Sequence, residues 1–419
     1  MASRGSGPRV VVVGGGAAGL IAAWRAGSLG ASVIVLERNP RLGTKILISG
    51  GGKCNVTHAG TVEELLRAFR ANEARFLRPS FYRFSNADLM TLLADRGVET
   101  IAREDGRVFP ASASARQVAS ALEEAARDVG ARFSLGQAVT GLWVEGGAVR
   151  GVRSDAGPIA ADRVIVAVGG SSYPATGCRG DGFAWARDAG HTVEPVRAAL
   201  APIFLDPRPP AEWAGVALRD VGVRVRCGGR VSARRRGDAL FTHWGLSGPA
   251  ILEISREAAE LRERGPISLE LDLLPEMTEE ALSVRLREWA SANPGRRVLG
   301  HVEELAPRRL RPALLAAADL SSERVGAAFT RAERVRLVAA LKGWAPGRVA
   351  QIPIEKGEVV AGGVALDEVD PRTMASRLVR GLFWAGEVLD VAGPVGGYNL
   401  QAAFSTGWAA GESAAGATI

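Results

Sequence analysis

The most restrictive stretch of the chain is its beginning, "RVVVVGGGAAGLIAAWRAGSLGASVIVLERN". Four valines form an apolar run of strand length, Gly14, Gly16 and Gly19 follow at G-x-G-x-x-G spacing, and a second apolar run closes on Glu37. The pattern predicts strand, tight turn, helix and second strand. The three glycines serve different ends. Gly14 permits the turn, Gly16 lets the backbone approach a pyrophosphate, and Gly19 lets helix and strand pack closely. Ala17 and Ala18 open a helix whose first amides lack intrahelical acceptors and carry the positive end of the dipole, a ready site for a diphosphate. Glu37 lies 18 residues past Gly19, the distance expected of a carboxylate that accepts from a ribose hydroxyl, and an acid there disfavours a 2′-phosphate. Arg38 follows it. A dinucleotide-binding α/β domain is the expectation.

NAD and FAD share this turn, and the far end of the chain separates them. "GLFWAGEVLDVAGPVGGYNLQAAFSTGWAAG" reads as a short buried strand ending in Ala-Gly-Glu, a Gly/Pro loop, and a helix beginning near Asn399. That arrangement suits FAD. Glu387, next to Gly386, can accept from a ribityl hydroxyl, and the helix start at Gly397, Tyr398, Asn399, Leu400 and Gln401 can stabilise negative charge on the flavin ring. An ordinary closing strand and helix is the alternative.

"SGGGKCNVTH" invites comparison with a phosphate-binding P-loop, but the spacing refuses it. The motif requires a glycine five positions before Gly52, where Leu47 stands, and a Ser or Thr after the lysine, where Cys54 stands. Ser49, Gly50, Gly51, Gly52 and Asn55, with Lys45 just upstream, are expected instead to wrap the flavin, the glycines letting backbone amides come close.

At 419 residues the chain exceeds the usual growth of one core, so an inserted domain or a second domain is expected. The N-terminal "MASRGSGP" leads into an apolar run too short for a signal peptide or a membrane span, and no later run is long enough to cross a bilayer. The cysteines, Cys54, Cys178 and Cys227, show neither pairing nor metal spacing, which points to a reducing, cytoplasmic setting and no metal. "AVTGLWVEGGAVRGVRSDAGPIAADRVIVAVGG" reads as a β-meander that feeds a buried strand and ends at Gly169 and Gly170, where a connection can pass close to the dinucleotide. Three segments follow from these shifts: 1–194 and 352–419 form the flavin domain, and 195–351 an insertion, β-rich over 195–276 and helical over 277–351, forming its lid. The net charge is +7, and residues 277–348 hold 13 Arg or Lys against 8 Asp or Glu. That basic helical part could hold RNA, although a solvated arginine face is the simpler reading. Arg234, Arg235 and Arg236 are expected on a hairpin tip.

"GTKILISGGGKCNVTH", "GRVFPASASARQV", "GGSSYPATGCRGDGFAWARDAGHT", "FTHWGLSGPAIL" and "GLFWAGEVLDVAGPVGGYNLQAAFSTG" together resemble, in order and over nearly the whole chain, the blocks of the BaiN/RdsA-like flavoproteins, also labelled aminoacetone-oxidase-like. Cys178 and Arg179 stand where Ser-Thr is common. The resemblance implies a glutathione-reductase-like two-part flavin fold interrupted by a β-barrel-like plus helical domain, with the loop at Ser49 near the flavin. It also implies one of three reactions: oxidation of a small amino compound, reduction of an activated C=C bond in a small molecule, or reduction of uridine to dihydrouridine in ribosomal RNA. A non-catalytic, FAD-stabilised RNA-binding factor is the rival of another class.

A flavin supplies the redox chemistry, so the chain must place the substrate beside N5 and manage protons. No second G-x-G-x-x-G follows a later strand, because "TGCRGDG" has the wrong spacing, so reduction would come from the substrate directly or from NAD(P)H as a diffusible reductant. The absence of C-x-x-C counts against a disulfide reductase. Cys54 is the candidate acid and Lys53 the candidate for stabilising charge on the reduced ring, each against a structural alternative. His58 and His243 are possible proton carriers, and Tyr173 and Tyr398 possible pocket walls.

Overall fold

The computed structural model describes residues 7–417; the opening "MASRGS", on which part of the N-terminal reading rests, lies outside the described residues. The first valine run forms the strand Arg9–Val13 at the middle of a five-stranded parallel sheet. The strands lie in the order Leu382–Trp384, Arg163–Val166, Arg9–Val13, Ser32–Glu37 and Arg132–Leu135, with Val11 opposite both Ile34 and Val164. A parallel sheet is covered on both faces, so its strands are continuous apolar runs, and Val10, Val11, Val12 and Val13 are all buried.

Two helices run parallel against each other beside this sheet. The helix Ala17–Ser28 after the glycine turn meets the closing helix Tyr398–Ala414 through small residues. A Cβ on Gly407 would lie 2.3 Å from the carbonyl oxygen of Ala18, and one on Gly411 2.4 Å from that of Ala22. Only hydrogen side chains at these two positions allow that approach. One turn on, Trp24 meets Trp408 edge to face at 5.2 Å, and Arg25 lies 4.2 Å over the Trp408 ring while pairing with Glu412. Because Gly407 is level with Ala18, the closing helix begins more than two turns ahead of the first one.

The meander Val139–Glu145, Ala148–Ser154 and Gly157–Ala160 forms its own antiparallel sheet before the chain returns through Arg163–Val166. A smaller sheet joins Thr57–His58, Arg107–Pro110 and Thr100–Ala102.

Arg197–Glu358 forms a second compact unit. Its β-rich part is a closed barrel in the order Ile203–Asp206, Gly245–Ser247, Arg230–Phe241, Ala217–Cys227, Ile267–Asp272 and Arg348–Gln351. Alternation sends Val221, Val223 and Val225 inward, where Trp213, Phe241 and Trp344 form an aromatic cluster with ring centroids 5.2–5.7 Å apart. Helices Glu279–Ala292 and Arg331–Lys342 start at Thr278 and Thr330, whose hydroxyls accept from the amides three residues on. Arg234, Arg235 and Arg236 are not on a hairpin tip. The tip is Gly228 and Gly229, both with positive φ, and the arginines sit inside the strand Arg230–Phe241, where Arg235 pairs with Glu257 and Arg236 with Asp220 and Glu276.

Among the described residues no helix is long and apolar enough to cross a membrane, and no three His, Cys, Asp or Glu side chains group to hold a metal ion.

Candidate cofactor site

The carboxyl ends of the parallel strands gather most of the candidate residues. In doubly wound sheets ligands bind at this edge. The turn after Arg9–Val13 is tight for a visible reason: a Cβ on Gly14 would lie 2.5 Å from the Ala167 carbonyl oxygen, and one on Gly19 1.9 Å from that of Gly14. Gly16 differs, since a Cβ there would meet nothing within 4 Å. The space before the helix is therefore open, as a cradle for a diphosphate requires. Glu37, only 8% exposed, closes the second strand and accepts the amides of Gly15 and Asn39, each at 2.8 Å. Its carboxylate thus shapes the turn.

A second group joins residues far apart in sequence. Lys45 Nζ donates to Ser172 Oγ at 2.6 Å and to Glu387 Oε2 at 2.5 Å, while Glu387 Oε1 accepts from Ser172 Oγ (3.2 Å) and the Val360 amide (3.0 Å). Gly170 is glycine because a Cβ there would lie 2.5 Å from the Val360 side chain and 3.0 Å from Glu387 Oε1; Gly169, at positive φ, faces the Cys178 sulfur. Gly386 donates its amide to Thr406 Oγ1 and abuts Ala18, which ties this group to the start of the first helix. Burial pushes the Cys178 thiol upward, so it is neutral.

The glycine loop forms a 3-10 turn, Ser49–Gly52, with Gly50 and Gly51 in the left-handed region. A Cβ on either Gly51 or Gly52 would meet no close neighbour, whereas Gly50 packs on the Asn55 amide. Asn55 is 9% exposed, and its Oδ1 is buried without a hydrogen-bond partner. Such an orphaned acceptor is costly unless a bound group supplies the donor. An open Gly16 at the start of the first helix, an unsatisfied buried acceptor on Asn55 and a Lys–Ser–Glu cluster at the strand ends fit a bound FAD.

Lys53 is exposed. Cys54 is wholly buried within an apolar cluster that includes Leu20, Ile21, Ile46 and Phe404, at φ +57°, and burial pushes its thiol up to about 11. The closing helix begins at Gly397, whose positive φ of 90° and whose position 2.4 Å from the Thr57 carbonyl oxygen, measured to an added Cβ, leave no room for a side chain. The Gln401 amide makes the first intrahelical bond, to the Gly397 carbonyl, so Asn399 and Leu400 precede it. Gln401 itself is wholly buried: it accepts from Thr57 Oγ1 at 2.7 Å and donates to Phe84 O and Ser405 Oγ. Its side chain therefore braces the helix start from inside. Asn399 likewise holds the loop, binding the amide and carbonyl of Gly393. Tyr398 stacks on His58 at 4.6 Å, and His58 Nδ1 lies 3.1 Å from the Gly396 carbonyl oxygen. His243 and Tyr173 are exposed.

Several partners were missed by sequence reading: Ser172, Asn39, Thr57 and Thr406. Ser172 alone carried a signal, as the serine pair after Gly169 and Gly170. Arg38, taken as a cofactor residue, pairs with Asp181 at 2.9 Å.

The model of the HI0933-like protein Rossmann domain matches residues 8–413. A 3-dehydro-bile acid delta(4,6)-reductase of Clostridium scindens is 32% identical over 411 residues, covering 97% of this chain and 99% of that protein. A ribosomal RNA dihydrouridine synthase of Escherichia coli is 30% identical over 413 residues, covering 96% of each. Among solved structures, 3-ketosteroid delta1-dehydrogenase from Sterolibacterium denitrificans shares the fold with a TM-score of 0.56 at 15% identity, over 98% of this chain and 100% of that one. The chain belongs to the HI0933-like family and is an FAD-dependent oxidoreductase with a Rossmann-type flavin domain.

Proposed function

We propose that the protein reduces a carbon–carbon double bond conjugated to a carbonyl in a small molecule, with NAD(P)H as a diffusible reductant. The observation that carries this reading is a chemistry common to two relatives matched nearly end to end: a delta(4,6)-reductase and a dihydrouridine synthase both saturate a C=C bond. FAD, when bound, supplies the hydride-transferring ring. The chain's own contribution is positional. The Gly16 turn and Glu37 hold the adenosine and diphosphate end, and Lys45 with Glu387 the polyhydroxyl chain. The start of the closing helix directs its positive end at developing negative charge. Cys54, the candidate acid, is sealed in the core, so we assign it to packing, while the exposed Lys53 keeps the role of stabilising charge on the reduced ring.

Reduction of uridine in ribosomal RNA is the second reading, and the basic surplus over residues 277–348 favours it. Four of its arginines are held by acids of the same segment, Arg285 by Glu304, Arg297 by Glu323, Arg311 by Glu303 and Arg324 by Glu333, which restrains their side chains but leaves the surplus. We place a small-molecule substrate first on the likeness to the bile acid reductase.

The test is anaerobic. FAD-loaded protein reduced by NAD(P)H is mixed with a steroid enone or with a uridine-containing ribosomal RNA fragment, and the return of the oxidised flavin band is followed. Rapid reoxidation by the enone alone is expected. Reoxidation by the RNA alone would transfer the reading to dihydrouridine formation. A band bleached by a small amine but not by NAD(P)H would make the protein an amine oxidase, and RNA binding without turnover would make it a binding factor.

A further inference from the structure

The segment between Gly170 and the helix Asp181–Asp188 does not take the short path. It leaves the carboxyl end of strand Arg163–Val166 and is fastened to residues just past the carboxyl end of strand Ser32–Glu37. In the sheet these two strands flank Arg9–Val13, the strand that leads into the Gly14 turn. The segment 171–180 therefore passes across the open edge above that turn.

Its fastenings are distributed along its length. Near its start, Ser172 is wholly buried and bonds Lys45 and Glu387. In the middle, Asn39 Nδ2 donates to the Thr176 carbonyl at 2.9 Å, and Thr176 is buried. Gly177 is glycine because a Cβ there would lie 2.7 Å from Asn39 Nδ2. At its end, Arg38 reaches the Gly177 carbonyl at 3.4 Å and Asp181 Oδ2 at 2.9 Å. Cys178 lies beneath, buried, with its sulfur against Gly169. Apart from Ser172, these attachments join side chains to backbone or pair partly exposed charges, each a weak interaction singly. A segment held by several weak bonds opens as a unit and closes as a unit.

We propose that 171–180 is a strap closed over the bound dinucleotide, with Asn39, Arg38 and Asp181 as its latch, so that the latch sets how fast FAD leaves. The proposal rests on FAD as the bound cofactor. Arg38 and Asp181 act through the strap and are positioning residues.

Two independent measurements test it on the full-length protein. In the first, FAD release after dilution is followed by flavin fluorescence for the wild type, Asp181→Asn and Asn39→Ala. Each variant is expected to release FAD about 5-fold to 30-fold faster, as the loss of one hydrogen bond or ion pair of about 1–2 kcal/mol requires, with an unchanged visible spectrum of the bound flavin. In the second, which needs no variant, the wild type is treated with a thiol reagent and labelling at Cys178 is read by peptide mass spectrometry. FAD is expected to slow that labelling at least 10-fold. Release rates within 2-fold of wild type for both variants, or labelling of Cys178 indifferent to FAD, would overturn the strap while leaving FAD binding intact. Failure of the wild type to take up FAD at all would overturn both.

Discussion

Cys54 and His191 show how a residue takes its role from burial. Cys54 sits in the left-handed region, a conformation that is uncommon for a residue with a side chain, and is wholly buried in an apolar cluster with Ser49 beside its thiol. A thiol held near 11 and without access to solvent packs the loop; it does not exchange protons with a substrate. Cys54→Ala is expected to lower stability by about 1–2 kcal/mol through the small cavity it leaves, with turnover within 2-fold of wild type. A turnover loss of 100-fold with flavin content preserved would return Cys54 to the chemistry. His191 is buried too, with Nε2 near Ser376 Oγ (2.7 Å) and Trp384 Nε1 (3.3 Å), and Nδ1 3.2 Å from Glu368. Burial pushes its pKa below the ordinary 6.5, and the Glu368 carboxylate opposes that only in part. As pH falls through 6.5 the unfolded chain gains a proton that the folded one resists. Stability contributed by neutral His191 is thus present above that pH and is lost as pH falls toward the folded value. Thermal melts of wild type should drop between roughly pH 7 and pH 5, and His191→Gln should flatten that part of the profile. An identical slope in the variant would refute the assignment.

At the scale of elements, the contact between the first and closing helices positions both helix starts. The interlock of Gly407 with Ala18 and Gly411 with Ala22 permits backbone contact that no larger residue allows. Gly407→Ala is expected to push the helices apart, destabilising the protein by about 1–3 kcal/mol and weakening FAD binding measurably by fluorescence titration. The second effect follows because the closing helix, through Thr406, holds the Gly386 amide next to Glu387. A variant with wild-type melting temperature and FAD affinity would show that the contact is not needed. The helix, expected near Asn399, begins at Tyr398 because Gly397 just before it takes a positive φ of 90°.

Over the whole molecule, legibility in the sequence followed distance along the chain. The Gly14 turn and the strand that closes on Glu37 are local patterns, and each formed where its residues suggested. Ser172 with Lys45, 127 positions away, and Asn39 with Thr176, 137 away, come together only when the connection crosses the sheet edge. No spacing rule reaches that far. For Cys54 the sequence left acid and structural thiol side by side, because neighbours that bury it, Phe404 among them, come from the other end of the chain. Arg234, Arg235 and Arg236 suggested a solvated tip because three adjacent charges favour water; strand alternation and partners on other segments accommodate them instead. Whether the protein is an FAD enzyme reduced by a nicotinamide is decided by the visible spectrum of the FAD-reconstituted protein, taken anaerobically before and after adding NADPH and then NADH. A bound flavin band that bleaches with either nucleotide is the expected outcome; no bound flavin band after reconstitution would refute FAD as the cofactor, and with it the chemistry built on that ring.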